Sequence, residues 1–500
     1  MSRIVAVFVL LLWGCGPAGP PGGEPAPVGT PPGEDLVPVT LVHLNDMYEI
    51  TPVGGGRWGG PARVATLIDR LTKDNPDTFT LIAGDFLSPS ALGTARVDGE
   101  RLAGRQVVAV LNEMGLDYAT FGNHEFDLDE DAFRARLGEA RFGWFSSNVT
   151  QASGEPFEGV PTYRILEAGE GDRVARIGLI GLTYDGIRPD YVDFTPVLET
   201  ARRMVDRLRD SVDVLVAVTH LQVPQDVALA EEVPELDLIL GGHDHENLLL
   251  RRGADLTPIH KADANVRTVW VHRLLIDPRS HEFEIESELV EIDESIPEDP
   301  ETRAVVEEWL DLGFAGFRED GFDPGAVVTV TDEPLDGLES SVRFRSTRLT
   351  ALIAAAMRRA IDGAEVALLN TGSVRIDDVI PPGPVTQYDV IRVLPFGGSV
   401  LEVRMTGEML TRVLDRGEAN RGQGGFLESV GVARTAEDGW AVDGEPVQPD
   451  REYRLAVAAF LLTGREQGFD FLTRDAYGVT VVREGPDIRA ALIAELRAVY

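Results

Sequence analysis

The chain has 500 residues, 43% of them hydrophobic, and its 83 acidic against 46 basic side chains leave a formal net charge of −37. That length is more than one hydrophobic core organises, so two domains with additional segments are expected. The acidity argues against non-specific nucleic-acid binding and against docking by charge on an anionic lipid surface.

In chain order, residues 1–15 carry Arg3, an apolar core and a small residue before Cys15, the pattern of an export signal. The apolar core is too short to span a bilayer as a mature helix. Leu12-Trp13-Gly14-Cys15 resembles a bacterial lipobox apart from Trp13, which implies a lipoprotein-type signal and a lipid anchor at Cys15. The alternative is a plain secretory signal with an incidental cysteine. Cys15 is the only cysteine, so an internal disulfide is excluded. Residues 16–36 are rich in Pro and Gly without periodicity and are expected to form a flexible tether.

Residues 37–297 alternate short aliphatic runs with amphipathic helical segments such as Ala62–Leu71, Gly104–Met114 and Val197–Arg209, which predicts an α/β domain. Six runs read as buried strands: Val37–Leu44, Phe79–Ala83, Tyr118–Phe121, Ile177–Leu182, Val212–Val218 and Leu236–Leu240. A linker helix is expected within 298–321, at Thr302–Phe317, with Pro300 just before it and acidic residues at its start. Residues 322–500 form a second α/β unit, with a helix at Arg348–Ile361 and strands at Val366–Leu369 and Leu455–Ala459. The helix reads as a bridge, so relative domain movement is expected.

Five of the six runs lead into an Asp, Asn or His, and ligands in α/β sheets collect at the carboxyl ends of strands. The pattern suits a two-metal hydrolase, which needs a carboxylate bridging two ions roughly 3.5–4 Å apart. Asp85 fits the bridge. Asp46 and His245 suit the first ion, and Asn123, His220 and His243 the second. His124 precedes Asp127 by three residues, a helical-turn spacing that lets the carboxylate hold one imidazole nitrogen while the other faces substrate. His43, His260, His272 and His281 read as structural or surface residues.

The series Asp46, Gly84-Asp85, Gly122-Asn123-His124-Glu125, His220 and Gly242-His243-Asp244-His245 resembles the calcineurin-like metallophosphoesterases. With FGNHEFD at 121–127, LLNTGSVR at 368–375 and VLPFGG at 393–398, the chain is similar to bacterial and extracellular 5′-nucleotidases and UDP-sugar hydrolases from about Val39 to Leu472. The resemblance implies a four-layer α/β/β/α sandwich followed by an α/β substrate domain. It also implies two divalent ions (Mn, Zn or Fe), a metal-activated hydroxide as nucleophile, and His124 with Asp127 as a transition-state-stabilising dyad. In the second domain it implies that Arg343 and Arg375, with Arg345 beside them, hold phosphate, and that Phe396 and Phe460 clamp a base. Surface ion pairs and core packing are the competing readings of these arginines and aromatics. Asn370, at a strand end, is placed to hydrogen-bond the substrate.

Three departures stand out. Tyr48 occupies the position where the family's first motif has a histidine ligand, so it either binds the first ion as a phenolate or stands aside. Residues 376–383, IDDVIPPG, lack a further arginine, and TGREQGFDF at 463–471 replaces the usual GGDGF loop. The expected function is an exported, periplasmic or cell-surface, monomeric metal-dependent phosphoric monoester hydrolase acting on nucleoside 5′-monophosphates. UDP-sugars and 2′,3′-cyclic nucleotides are alternative substrates. A non-catalytic surface nucleotide-binding protein and a thiohydrolase of the same superfamily are the rival readings.

Overall fold

In the computed structural model of the chain, which describes residues 36–436 and 439–500, the run Val37–Leu44 is a strand whose side chains alternate between two environments. Val37, Val39 and Leu41 join one apolar cluster and Val42 and Leu44 another, as the two-residue period of a strand requires. The expected signal, and all but the last residue of the expected tether, lie outside the described residues.

All six runs are strands, divided between two six-stranded sheets. The first sheet runs Phe283–Glu291, Thr268–Ile276, Val37–Leu44, Thr78–Ala83, Tyr118–Thr120 and Gly143–Trp144 from edge to edge. The second runs Leu248–Arg252, Thr257–Lys261, Leu238–Gly241, Val214–His220, Arg173–Thr183 and Tyr163–Glu170. Their inner faces share a core in which Leu41 and Leu81 cluster with Ile177, Val216 and Leu240. Helices Pro61–Asp74 and Arg105–Met114 cover the outside of the first sheet, and Val197–Leu208 and Val223–Glu232 the outside of the second. Helix Val197–Leu208 buries Thr200, Ala201, Met204, Val205 and Leu208, a stripe at helical spacing. The result is the helix–sheet–sheet–helix order that the family resemblance implied. Each fully buried Leu, Ile or Val contributes about 1.5–3 kcal/mol.

The sheets differ from a simple alternation of strands and helices at their edges, where Tyr163–Glu170 pairs antiparallel with Arg173–Thr183 and Thr268–Ile276 with Phe283–Glu291. These outer strands expose alternate residues, and Gly171 at φ +66° makes the tight return between the first pair.

Three of the histidines read as structural or surface residues, His43, His260 and His272, lie buried with Trp270 in contact. Burial, with mutual repulsion, pushes His43 down to about 3 and His272 well below its ordinary value; burial and Arg251 push His260 to about 4. These rings stay neutral in the fold and gain a proton on unfolding below about pH 6.5, so their stabilising effect is lost as pH falls through that value. Between pH 6.5 and 5 each should cost roughly 2 kcal/mol. Urea unfolding of the chelated protein at the two pH values, compared with a His43→Gln variant that should lose part of the slope, checks this. His281 is exposed and pairs with Asp213.

Asp299 caps the helix Pro300–Glu319 by accepting from the Thr302 amide. Val306 and Phe317 of this helix pack into the first domain's core, while Phe314 and Phe317 contact Tyr388 of the second domain, with ring centroids 4.8 and 6.4 Å apart. The helix therefore touches both domains. In the second domain a five-stranded sheet, ordered Leu427–Val430, Val366–Asn370, Glu452–Ala458, Ser399–Thr406 and Val479–Asp487, is flanked by two apolar clusters. Helices Arg348–Ala360 and Ile488–Val499 pack in one and Gly407–Ala419 in the other. Among the described residues no helix is long and apolar enough to cross a membrane.

Candidate metal centre and active site

Strands Val37–Leu44, Thr78–Ala83 and Tyr118–Thr120 run parallel in one sheet, as do Arg173–Thr183, Val214–His220 and Leu238–Gly241 in the other, so their carboxyl ends gather at one end of the sandwich. There the chain must turn sharply. Asp46, Asp85, His243 and His245 all take left-handed backbone conformations, with φ of +50°, +55°, +84° and +54°. Non-glycine residues at positive φ are uncommon and gather at functional sites. The glycines beside them permit the approach: a Cβ on Gly122 would lie 2.0 Å from Asp85 Oδ1, and one on Gly242 2.6 Å from the Ala83 carbonyl.

Each carboxylate is held by a backbone amide and aims its other oxygen at the site. Asp46 Oδ2 accepts from His243 N–H (2.9 Å) and Oδ1 lies 3.2 Å from His245 Nε2. Asp85 Oδ1 accepts from His124 N–H (2.8 Å) and Oδ2 lies 3.1 Å from His220 Nε2. Asn123 Oδ1 is 3.2 Å from His243 Nδ1. One donor atom each of Asp85, His220 and His243 lies within 4.8 Å of the others. The Tyr48 hydroxyl oxygen is 3.2 Å from Asp46 Oδ1, 3.2 Å from Asp85 Oδ2 and 3.1 Å from His245 Nε2. All six residues expected to ligate metal, with Tyr48, are thus in one place.

The donors fit a metal. His220 Nδ1 bonds the Ala83 carbonyl at 2.7 Å and must carry the hydrogen, which leaves Nε2 buried, without a hydrogen-bond partner and aimed at Asp85. Two electron-rich atoms buried together need a cation between them. Without one, a proton does the work: burial opposes it, but Asp85 and Asp46 outweigh burial and raise His220 to about 9. Burial and the neighbouring His220 push His243 down to about 4.

Two supporting residues escaped the sequence reading. Glu125 accepts from the amides of Asp85, Phe86, Leu87 and Gly122, clamping the turn after Thr78–Ala83 to the turn after Tyr118–Thr120. Burial and Asp85 raise its carboxyl to about 7. Its signal was its place inside GNHE. Lys261, fully buried, donates to the carbonyls of Leu221 and Gly242 and pairs with Asp226 and Asp244. It therefore grips the chain beside His220, His243 and His245. Its only signal was rarity, since Lys73 is the other lysine.

His124 Nδ1 and Asp127 Oδ2 are 2.8 Å apart, and Ser88 donates to the same oxygen at 2.9 Å. Burial works against a charged His124, but Asp127 and Asp85 outweigh it and raise its pKa. His124 lines a cavity of about 80 Å³ with Tyr48, Asp85, His243 and His245. Arg375, Glu339 and Asp377 of the second domain line it too. That volume is far below the roughly 300–1,000 Å³ of whole-ligand pockets, and suits a group the size of phosphate. A cavity of about 380 Å³ lies near the opposite ends of the strands, lined by Pro234, Thr257 and Ser287, away from these residues.

The other second-domain candidates stand further back. Arg343 is buried and reaches Glu339 at 3.2 Å, while its Nη1 and the Nε of Arg375 have no hydrogen-bond partner. Arg345 is a surface residue paired with Asp336. Asn370 donates to Glu466 at 2.6 Å. Phe396 and Phe460 are 52% and 46% exposed, so neither is a core residue. Asn370, Phe396 and Phe460 are not among the residues lining the 80 Å³ cavity.

A family model described as calcineurin-like phosphoesterase matches residues 39–247, and one described as 5′-nucleotidase, C-terminal domain, matches 326–474. The chain is 28% identical over 485 residues to the 5′-nucleotidase of Vibrio cholerae, covering 85% of each. It is 24% identical to protein UshA of Escherichia coli, again covering 85% of each. To the trifunctional nucleotide phosphoesterase protein YfkN of Bacillus subtilis it is 26% identical over 90% of its own length, which is 33% of that longer protein. Two solved structures from Thermus thermophilus share the fold. The 5′-nucleotidase precursor has a TM-score of 0.73 at 24% identity over 92% of this chain and 96% of that one. The sulfate thiohydrolase SoxB has a TM-score of 0.71 at 18% identity over 94% and 95%. The chain thus joins a calcineurin-like phosphoesterase domain to a 5′-nucleotidase C-terminal domain and belongs with the metal-dependent phosphoester hydrolases of the 5′-nucleotidase and UshA type.

Proposed function

We propose that this protein is an exported, lipid-anchored, monomeric phosphohydrolase that cleaves nucleoside 5′-monophosphates with two divalent ions. The observation that carries the reading is the shared cavity, with Asp85, His124, His243 and His245 from the first domain and Arg375 from the second. A phosphate there meets the donor cluster, the dyad and a guanidinium at once. Asp46, Asp85 and His245 would hold one ion, and Asp85, Asn123, His220 and His243 the other. The Tyr48 oxygen, 3.1–3.2 Å from three donors, supports its inclusion as a further donor to the first. Two ions held there would supply positive charge opposite the phosphoryl oxygens and lower the pKa of a bound water.

The remaining work falls to side chains. Asp127 orients His124 through Nδ1, leaving Nε2 to donate to charge developing on the leaving oxygen. Arg375, which lines the cavity and whose Nε lacks a partner, takes the phosphate oxygens, Arg343 adds positive charge from outside the cavity, and Phe396 and Phe460, both exposed, remain available to stack on a base.

The test is phosphate release after chelation and re-addition of Mn, Zn or Fe, with AMP, UDP-glucose, 2′,3′-cyclic AMP and an aryl phosphate as substrates. Metal-restored release led by AMP is expected. Release from the aryl or cyclic substrate alone would discard the base clamp, and bound ions without release from any substrate would favour a binding protein. Tyr48→Phe should weaken one ion at least as much as the roughly 10–100-fold contributed by outer groups that support ligands. Unchanged affinity on chelator competition would remove Tyr48 from the donor set.

A further inference from the structure

We infer that Asp377, a second-domain residue, is the positioning carboxylate for His245 of the first domain, so that ion binding at the Asp46–His245 site and docking of the domains stabilise one another. This rests on the two-ion reading above.

His245 has two ring nitrogens with different neighbours. Nε2 faces Asp46 and the Tyr48 oxygen, at 3.2 and 3.1 Å. Nδ1 lies 2.9 Å from Asp377 Oδ2. An ionised carboxylate only accepts, so Nδ1 carries a hydrogen, and it is Nε2, facing the donor cluster, that would offer its lone pair to an ion there. The tautomer and tilt of the ring are thereby set from across the domain boundary. His220 and His243 differ: they bond Ala83 and Asn123, both within the first domain.

Asp377 is itself held rigidly. Its Oδ1 accepts from Glu339 N–H at 2.7 Å, its carbonyl accepts from the Arg267 guanidinium, and its backbone is left-handed at φ +39°. Neighbouring bonds reinforce the same seam. Asp378 accepts from Gly54 N–H at 2.8 Å, and Arg392 bridges Asp378 and Glu49 at 3.2 Å each. The seam therefore bears on the segment just after Asp46 and on His245 itself. A carboxylate behind a metal-bound histidine typically contributes ten- to hundredfold in metal affinity. By linkage, an ion favoured by the docked arrangement favours docking by the same factor.

The full-length protein, stripped by chelator, is titrated with Mn²⁺ alone and by competition with a chelator, as wild type, Asp377→Ala and Asp377→Asn. Two ions are expected in the wild type. In Asp377→Ala one should bind as in wild type and the other roughly 10–100-fold more weakly, and in Asp377→Asn at least as weakly, because keeping the Glu339 bond turns the amide NH2 towards Nδ1 and favours the wrong tautomer. Amide exchange in 376–378 should slow on adding Mn²⁺ to wild type and not to Asp377→Ala. Asparagine keeps the shape and the Glu339 bond, so the question stays answerable if the alanine variant does not fold. Wild-type affinity for both ions in either variant, or equal weakening of both, would reduce Asp377 to a structural contact and overturn the inference. Fewer than two ions in the wild type would instead overturn the two-ion reading, a failure visible before any variant is made.

Discussion

Replacing Lys261 by methionine is expected to destabilise the fold by about 3–5 kcal/mol and to weaken binding of both ions. The ammonium is fully buried and faces four acceptors: the carbonyls of Leu221 (2.5 Å) and Gly242 (2.8 Å), Asp226 (2.8 Å) and Asp244 (2.5 Å). Without it Asp226, which also accepts from Thr219, is a buried carboxylate with no cation. The two carbonyls lose a donor beside His220 and His243, so the segments carrying both rings are released together. Urea unfolding and metal stoichiometry check the two effects. Adding Asp226→Leu should recover part of the stability, because the orphaned charge is gone, but not the metal binding. A Lys261→Met protein with wild-type stability and two tightly bound ions would show that the clamp is dispensable.

His124→Ala should lower turnover by about 10²–10⁴ while metal content stays at the wild-type level. The imidazole is outside the proposed donor set, and the contact that holds Asp85 is made by the His124 backbone amide, which alanine keeps. Loss of metal together with activity would sink the assignment. The pH dependence supplies a second check. Asp127 and Asp85 raise His124 despite its burial, so its acid form persists above the ordinary imidazole range and is lost as pH rises through the raised value. Asp127→Asn removes one of those charges and should move the alkaline limb of the rate profile to lower pH.

The proposed ligand set was legible before any coordinates because each piece is local. A buried strand shows as a short aliphatic run, and Asp46, Asp85, Asn123 and His220 follow such runs within a few residues. Gly122 and Gly242 were equally readable, since a close approach excludes a Cβ and leaves glycine in the motif. The dyad was legible for the same reason, with His124 and Asp127 three residues apart on one helical turn.

What the sequence determined by itself was therefore the order of elements, the residue types at each strand end and the α/β class. All three follow from period, propensity and residue type over a few positions. Only the tertiary structure decided the rest. Glu125 reaches back 40 residues to the Asp85 amide, Lys261 reaches Leu221 over the same separation, and Asp377 meets His245 across 132. His43 and His272 became neutral core residues because the strands carrying them lie side by side and both rings face the interior. Phe396 and Phe460 proved exposed although core packing was a competing reading of both. Such partners depend on which strand lies beside which and how one domain seats on the other. Those choices are set by burying the whole apolar surface at once, and no single stretch of sequence records them.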